Sequence, residues 1–491
     1  MVDFDRSDMS RQIMLPIKQK SFYGNIETIE RKYEIDFTDL LIGNGQNYLR
    51  YAYYYYFLEE YNKLYNTTTV TEDSYNNAGR LTGSVTRTHH GLNPNQNNWM
   101  HSETNTYNYQ TVTLNGYQKK TVPTKILTKQ QYGTNGNVIT DTLSFGYYPA
   151  SGKGRLAWMR KGNIHGVITL KYENYTSAGL YEKKTVVSGN DSRAEIYNYD
   201  ATQRFITKIT NPLNHSATFS YNARTGNKTS ETDPNGQITT YLYDTFGNLT
   251  QINYPDNTKT DISINWHSGS TPPNAKYYTS TTSSGKPVVE IYYDILGREV
   301  CRKDDGYYYQ TIYNNKGQVD KTSGPFANFD ETGIIWHSYT YDGYGRKQTE
   351  KAPYIDLVYS CPFGSRKVTI TDKLRNNTQS WKVYDALGRI TEAKDESGTI
   401  TYNYSVTNLN QHMYIISAVG ATTTILFDLW GNRLSIDDPD AGLITSYYNK
   451  FNELEKQIDA RGNITTYQYD VLGRIEASPA TSTTRSSRLS T

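Results

Sequence analysis

Apolar and polar residues alternate along short segments of this chain, and each segment ends where glycine, asparagine or aspartate residues gather. At 238–243 and 464–469 the sequences Ile-Thr-Thr-Tyr-Leu-Tyr and Ile-Thr-Thr-Tyr-Gln-Tyr place one Thr and two Tyr on the same face at a period of two. That period is typical of β-strands. The pattern therefore predicts an all-β protein of short strands and tight turns.

One motif, Tyr-Asp-x-x-Gly followed by Arg or Asn, recurs along the chain in six near-exact copies, one with Phe in place of Tyr. Where looser copies are counted as well, contiguous copies lie 22 residues apart (at 199, 221 and 243) or 21 residues apart (at 427, 448 and 469), which is the size of one supersecondary unit. Looser copies begin at Tyr75, Tyr132, Tyr199, Tyr221, Tyr313 and Tyr448. The defining residues of the six copies are Tyr243, Asp244 and Gly247; Tyr293, Asp294, Gly297 and Arg298; Tyr341, Asp342, Gly345 and Arg346; Tyr384, Asp385, Gly388 and Arg389; Asp428 and Gly431; and Tyr469, Asp470, Gly473 and Arg474.

Each part of the motif has a physical reason. The Asp side chain can accept backbone N–H bonds two residues on, and the Gly supplies the positive φ that closes a turn. A second turn, Asp233-Pro234-Asn235-Gly236 in one repeat, lies half a repeat away, with counterparts at 395–398, 438–442 and 459–462. Each repeat is therefore predicted to be two strands of roughly six or seven residues.

A single hairpin of this kind is marginally stable in water and has open edges. Neighbouring repeats are therefore predicted to pair into one long antiparallel sheet, which its natural twist would coil. Periodicity does not determine whether that sheet closes.

The amino-acid composition favours a thin, single sheet over a protein with a thick dry core. Tyr accounts for 47 of the 491 residues, and its ring buries apolar area while its hydroxyl still needs a partner, which suits a sheet that is wet on one or both faces. Lys plus Arg number 51 against 49 for Asp plus Glu, so no net field steers nucleic acid or anionic lipid to the chain.

No apolar run approaches the length of a membrane span, and Met1–Gln19 lacks the apolar region of a signal peptide. Export by another route, or a leader elsewhere, is the corresponding expectation.

The motifs at 293–298 and 384–389 resemble the YD repeats of the Rhs family, which includes bacterial polymorphic toxins, insecticidal toxin-complex B and C components, WapA-like wall proteins and animal teneurins. The resemblance runs clearly from Tyr199 to Ser478 and loosely from Tyr61. It implies a β-strip that spirals into a hollow shell around a C-terminal toxin domain. The members of the family called teneurins carry the same strip beside adhesion modules, so the resemblance also implies a possible adhesion role.

The chain departs from that family at both ends. It shows neither the Asp-Pro-Gly-rich closing motif nor the autocleaving aspartate site of complete Rhs cores, which suggests a fragment or a split component. The predicted organisation is a capping segment at 1–60, degenerate repeats at 61–198, regular repeats at 199–478 and a disordered tail at 479–491. The aromatic run Tyr51–Phe57 is interpreted as a capping strand that resembles the linking region of toxin-complex B components.

The histidine, aspartate, cysteine and arginine residues that could bind a metal or another ligand are interpreted as structural. His89, His90 and His101 match no metal-binding spacing and are interpreted as exposed loop histidines rather than a metal site. Asp437, Asp438 and Asp440 coincide with the repeat's second turn and are interpreted as turn caps rather than calcium ligands. Cys301 and Cys361 have neither metal nor redox spacing. The Arg residues that follow the turn glycines are expected to stack on a Tyr of the neighbouring repeat, with anion binding as the weaker alternative.

The sequence predicts no catalytic residue, metal or cofactor, and hence no enzyme. Two functions remain: a secreted or cell-surface scaffold forming part of a shell that encapsulates or presents a toxin effector, and a carbohydrate-binding or adhesion module using exposed aromatic rings. The expected partners are an effector domain or second shell component and, for the alternative, a glycan or cell-surface molecule. Neither nucleic acid nor a transmembrane segment is expected.

Overall fold

The protein is a single-layer ribbon of antiparallel strands in the computed structural model. The structure describes residues 2–5, 15–23, 26–40, 50–76, 80–91, 99–115, 118–149, 153–407, 410–476 and 480–482, and none of these residues is helical. These residues form thirty-eight strands, and each strand pairs antiparallel with the next one in sequence. The prediction of an all-β antiparallel sheet is confirmed.

The strands of the N-terminal part are β1 (Val2–Asp5), β2 (Leu15–Tyr23), β3 (Ile26–Leu40), β4 (Arg50–Asn62), β5 (Thr67–Tyr75), β6 (Leu81–His90), β7 (His101–Asn115), β8 (Gln118–Tyr132), β9 (Val138–Tyr147), β10 (Leu156–Asn163), β11 (Gly166–Tyr175), β12 (Tyr181–Ser188), β13 (Asp191–Tyr199), β14 (Ile206–Thr210), β15 (Ser216–Tyr221), β16 (Lys228–Thr232), β17 (Ile238–Tyr243), β18 (Leu249–Asn253) and β19 (Lys259–Trp266).

Those of the C-terminal part are β20 (Tyr277–Ser283), β21 (Val289–Tyr293), β22 (Glu299–Asp304), β23 (Tyr307–Tyr313), β24 (Val319–Ser323), β25 (Trp336–Tyr341), β26 (Lys347–Ala352), β27 (Ile355–Ser360), β28 (Lys367–Asp372), β29 (Thr378–Tyr384), β30 (Ile390–Asp395), β31 (Gly398–Val406), β32 (Gln411–Ile416), β33 (Thr422–Phe427), β34 (Arg433–Asp438), β35 (Gly442–Tyr448), β36 (Leu454–Ile458), β37 (Ile464–Thr466) and β38 (Ala480–Ser482).

Strand length changes along the ribbon. From β14 onward the strands hold three to nine residues, close to the six or seven that the repeat predicts, whereas β3, β7 and β8 each hold 15. The aromatic run at 51–57 lies within β4, and the side chains of 51–56 lie outside the described residues. Strand β38 lies in the segment for which the sequence predicted no regular structure, and residues 483–491 lie outside the described part of the chain.

The ribbon leaves most side chains only half buried. Its accessible surface is 30239 Å², whereas a compact protein of this mass would expose roughly 18,500 Å². A small cluster of buried residues forms where the connections at 267–276 and 324–335 lie, and it contains Tyr292, Val300 and the fully buried Cys301. The expectation of a thin wall rather than a thick dry core therefore agrees with the burial.

The two edges of the ribbon carry different turns. We call the connections that follow odd-numbered strands edge B, and those that follow even-numbered strands edge A. All six near-exact YD turns lie on edge B, and the second turns, such as 233–236 and 459–462, lie on edge A. This separation follows because each repeat contains two strands, so equivalent turns recur on the same side of the sheet.

Candidate functional site: the repeat turns and the seam

The YD turn is closed by its aspartate. In the turn at 294–298, Asp294 Oδ1 accepts the backbone N–H groups of Leu296 and Arg298, both at 2.9 Å. The backbone N–H of Gly297 donates to the carbonyl of Asp294, and Gly297 has a φ of 76°. A residue with a Cβ is strained at that φ, so glycine suits the position. The register of β21 and β22 shifts by one residue at Tyr293, which marks a β-bulge beside the turn.

The same arrangement recurs in the other copies. The Asp Oδ1 atoms of residues 244, 342, 385, 428 and 470 each accept N–H groups from the residues two and four positions on. The turn glycines 247, 345, 388, 431 and 473 all have φ between 79° and 89°. On edge A, Asp233 and Asp459 use their Oδ1 atoms in the same way. These two edge A turns therefore use the same hydrogen-bond scheme as the YD turns.

The arginine of the motif pairs with the aspartate of its own turn. The Nε atoms of Arg298, Arg346, Arg389 and Arg474 donate to the Asp Oδ2 atom four residues earlier, at 2.7–2.8 Å. Burial alone would raise the pKa of Asp294, but the backbone and side-chain hydrogen bonds from Arg298 outweigh it and lower the pKa. This ion pair was missed in the sequence, although an Asp four residues before an Arg in a tight turn is a detectable signal.

Stacking of the motif arginines on tyrosines of the next hairpin occurs in two copies. The guanidinium of Arg298 lies 4.3 Å from the ring centre of Tyr313, and that of Arg389 lies 4.3 Å from Tyr404. Arg346 instead lies 5.1 Å from Tyr344 of its own turn. Stacking on the neighbouring repeat thus accompanies the ion pair but does not replace it.

The motif tyrosines connect consecutive repeats. The hydroxyl of Tyr243 donates to the carbonyl of Lys228, the first residue of β16, at 2.9 Å. Tyr341 and Tyr469 reach the first residues of β24 and β36 in the same way, at 2.7 and 2.8 Å. In the fifth copy of the motif, Phe427 takes the place of the tyrosine. It has no hydroxyl and cannot make this bond. At these three positions tyrosine both packs its ring and ties its repeat to the preceding one.

Removing one of these hydroxyl groups should weaken a single step of the ribbon. We expect Tyr341→Phe to lower the local free energy of unfolding of β24 to β26 by about 1 kcal/mol, because a backbone carbonyl loses a donor while the ring remains. Amide hydrogen exchange of residues 319–352 measures it. Tyr307→Phe, at a half-exposed position, is the matched control. Equal exchange in both variants would contradict the role of the hydroxyl.

The histidines lie in a different place from the one the sequence suggested. His89 is in β6, paired with Thr68, and only 2% of it is exposed, so its interpretation as an exposed loop residue is wrong. His101 begins β7, and its ring lies 4.8 Å from that of Tyr132. The long strands β6 and β7 extend through positions that the sequence pattern assigned to a loop. Among the described residues, no group of three or more His, Cys, Asp or Glu side chains could hold a metal ion.

Asp438 caps its turn, because its Oδ1 atom accepts the N–H groups of Asp440 and Ala441, both at 3.0 Å. Cys301 is fully buried and Cys361 is half buried, and both are free thiols. Burial raises the pKa of Cys301 to about 12, so it stays protonated and unreactive at neutral pH.

Edges A and B meet along a line that we call the seam. It joins the edge A connections after β4, β8, β10 and β12 to the edge B connections after β27, β31, β33 and β35. In every pair the two connections are separated by 23 strands. Such a constant offset means that the ribbon coils, and that one coil contains 23 strands. Within the described residues, β1 and β38 do not pair with each other, so the coil is an open spiral.

Polar contacts to turn backbone hold one part of the seam. Gly364 donates its N–H to the carbonyl of Leu64 at 3.1 Å, and Arg366 Nη1 donates to the carbonyls of Tyr65 and Asn66 at 3.0 and 3.1 Å. Asn137 Nδ2 reaches the carbonyl of Val406 at 2.9 Å. These contacts join residues about 270 to 300 positions apart.

Cations of edge A lie over aromatic rings of edge B farther along the seam. Lys161 Nζ lies 5.2 Å from the ring centre of Trp430, and the Arg193 guanidinium lies 4.0 Å from that of Phe451. Both rings occupy the second variable position of a YD-type turn. Arg193 also donates to both carboxylate oxygens of Glu453, at 2.6 and 3.0 Å. This cluster is the strongest single contact of the seam by geometry.

Acid should loosen this cluster. Hydrogen bonds from Arg193 hold the pKa of Glu453 below its usual value, with burial and, less strongly, the nearby Asp470 charge opposing the shift. Because the folded pKa is depressed, the stabilisation is complete above the unfolded carboxyl pKa of about 4.3 and is lost as the pH falls through the folded value. We expect the protection of amides 188–193, relative to their intrinsic exchange rates, to fall selectively below about pH 4. The Glu453→Gln variant should lack this step, and an unchanged step would contradict the assignment.

Comparison with known proteins identifies the class. The RHS repeat family matches residues 224–259 and 448–487. These two segments therefore contain RHS repeats, which supports the resemblance to the Rhs/YD-repeat family that the sequence motifs suggested. No curated protein matches it significantly.

Its fold is similar to that of solved toxin-complex structures. The crystal structure of TcdB2-TccC3 matches with a TM-score of 0.70 and 12% identity over 96% of this chain and 33% of that one. TcdB2-TccC3-Cdc42 matches with a TM-score of 0.71 and 10% identity, over 96% and 35%. The form of TcdB2-TccC3 without its hypervariable C-terminal region matches with a TM-score of 0.68. The chain thus has the fold of these proteins and spans about a third of their length.

Proposed function

We propose that the protein is a wall segment of a secreted or cell-surface shell that encapsulates or presents a toxin effector. The single observation that carries the proposal is the seam, because a ribbon whose edges meet encloses space. A structural scaffold role is supported by the RHS repeats and by the fold shared with the toxin-complex structures. The described residues contain no helix that could cross a membrane.

The dimensions of the coil indicate the kind of cargo. Strands about 4.8 Å apart give a coil of 23 strands a circumference of about 110 Å and a diameter of about 35 Å. Side chains on the inner face then leave a space about 25 Å wide. A folded domain of 100 residues is wider than this, at a radius of gyration of about 13 Å. The enclosed cargo is therefore an unfolded or extended polypeptide.

The proposal can be tested with a fused cargo. An unstructured reporter polypeptide is joined to the C-terminus of the full chain, and its cleavage by a nonspecific protease is followed over time. Enclosure by the coil should slow cleavage at least tenfold relative to the same reporter on an unrelated β-sheet protein. Electron microscopy class averages should show a hollow wall. Equal cleavage rates together with a solid density would overturn the proposal.

Carbohydrate binding remains a second proposal, with weaker support. A cleft of about 380 Å³ on the sheet contains Trp381, the kind of ring on which sugars stack. However, the ammonium groups of Lys367 and Lys394 already lie 3.7 and 4.6 Å from the centre of that ring. A glycan array showing binding that Trp381→Ala removes would favour this function over the scaffold alone.

A further inference from the structure

One part of the seam brings two histidines of edge A close to two arginines that lie near edge B turns. His90 ends β6, His101 begins β7 and Tyr132 ends β8, so all three lie on edge A. The strand register pairs His101 with both Thr88 and Tyr132, which places the rings of His90, His101 and Tyr132 on one face of the sheet. The YD turn after β29, 23 strands beyond β6, lies opposite them.

Arg389 of that YD turn reaches across the seam. Its guanidinium lies 5.4 Å from the ring centre of Tyr132, and the ring centre of His101 lies 4.8 Å from that of Tyr132. The same guanidinium pairs with Asp385 of its own turn, so it is held in place from edge B. One tyrosine ring therefore lies between a histidine and an arginine that belong to opposite edges of the ribbon.

The surroundings of His101 favour its neutral form. Burial lowers the pKa of His101 and the Arg389 charge lowers it further, whereas Glu103 on the same strand opposes the shift. The strand neighbours Thr88 and Tyr132 carry no charge, since burial raises the pKa of Tyr132. A proton on His101 would add a positive charge near the Arg389 guanidinium where water is partly excluded, and the two charges would repel each other.

His90 interacts with a second arginine in the same part of the seam. Partial burial and the Arg366 charge lower the pKa of His90, against a weaker opposing effect of Asp385. Thr67, the partner of His90 on β5, is uncharged. A cleft of about 530 Å³ lies between the two edges here, lined by Thr67, Arg366 and Asp385. Through this cleft, protons from solvent can reach the seam without the unfolding of a strand.

We propose that this part of the seam is an acid-sensitive joint, which is closed while His90 and His101 are neutral and opens when they take up protons in mildly acidic solution. Because the folded pKa of each histidine lies below its unfolded value, the stabilisation is complete above about pH 6.5 and is lost as the pH falls from there through the folded value. The contact between Arg193 and Glu453 responds only below about pH 4, so the two responses are separable. The joint requires the seam but no enclosed cargo, so it does not rest on the proposed function.

Amide exchange of the full chain at different pH values tests the proposal. Gly364 is the reporter, because its N–H donates across the seam to the carbonyl of Leu64. Its protection, relative to the intrinsic exchange rate, should fall about fivefold or more between about pH 7.5 and about pH 5.5, while amides of β15 to β17 keep theirs. His90→Gln and His101→Gln, which stay neutral, should each reduce the fall and together abolish it. His337→Gln is the matched control and should leave it unchanged, because His337 pairs with Thr322 inside the sheet.

NMR titration of the histidines in the unsubstituted chain is the independent measurement, and it should give pKa values below about 6.5 for His90 and His101. Protection of Gly364 that does not change with pH overturns the proposal, as does a fall that persists in the double variant. If the double variant is open at every pH, the NMR values decide. Values at or above about 6.5 for both histidines then overturn the proposal, whereas lower values together with the fall in the unsubstituted chain support it.

Discussion

Replacing Asp385 by alanine is expected to lower the local free energy of unfolding of strands β29 and β30 by about 3 kcal/mol. The carboxylate accepts the N–H groups of Leu387 and Arg389, both at 2.9 Å, and the Nε of Arg389 at 2.7 Å. Its side chain is only 4% exposed. Water therefore cannot readily replace the lost acceptor, and the buried N–H groups and the guanidinium are left without it.

Two variants separate the contributions to that loss. Asp385→Asn keeps an oxygen for the backbone N–H groups but removes the charge that pairs with Arg389, so it should retain part of the stability. Asp244→Ala removes the same turn aspartate at an exposed position and should have a smaller effect. Amide exchange of residues 378–395 for the Asp385 variants, and of residues 238–253 for Asp244→Ala, is the measurement of choice, because a repeat array need not unfold in one step. Equal losses for Asp385→Ala and Asp244→Ala would contradict the importance of burial.

Replacing Arg193 by alanine is expected to open the adjacent part of the seam, at a cost of about 2–3 kcal/mol. The substitution removes both hydrogen bonds to Glu453 and the contact with the Phe451 ring, and it leaves the half-buried carboxylate of Glu453 without its cation. Because the sheet hydrogen bonds are not involved, the strands on either side should stay folded.

Exchange should therefore quicken at 188–193 and at 449–453 together, while residues within the sheet keep their protection. Small-angle X-ray scattering should show a modest increase in the radius of gyration. Lys183→Ala is the matched control, since its ion pair with Glu173 lies between neighbouring strands and both side chains are about 35% exposed. If quickened exchange spread through β12 and β13 instead, Arg193 would be stabilising the sheet rather than the seam.

Much of the local structure could be read from particular residues. The spacing of Asp294 and Gly297 predicted a tight turn, and the alternation in 238–243 predicted a strand. The spacing of Asp294 and Arg298 also indicates the ion pair between them, although the sequence interpretation named only stacking and, as the weaker alternative, anion binding. Burial of His89 was missed because the irregular N-terminal repeats hide the extent of the long strands. The boundaries at 60, 198 and 478 stay predictions.

The sequence by itself determined the hairpin repeat, its two turns and the antiparallel order of the strands, because those features depend on residues within about 20 positions of one another. Only the tertiary structure decided that 23 strands make one coil and that Arg193 meets Glu453 across 260 positions. The number of strands per coil depends on small twist angles between neighbouring strands, which accumulate along the ribbon. The periodicity of the repeat does not predict the total twist. The seam can therefore be located only in the three-dimensional structure.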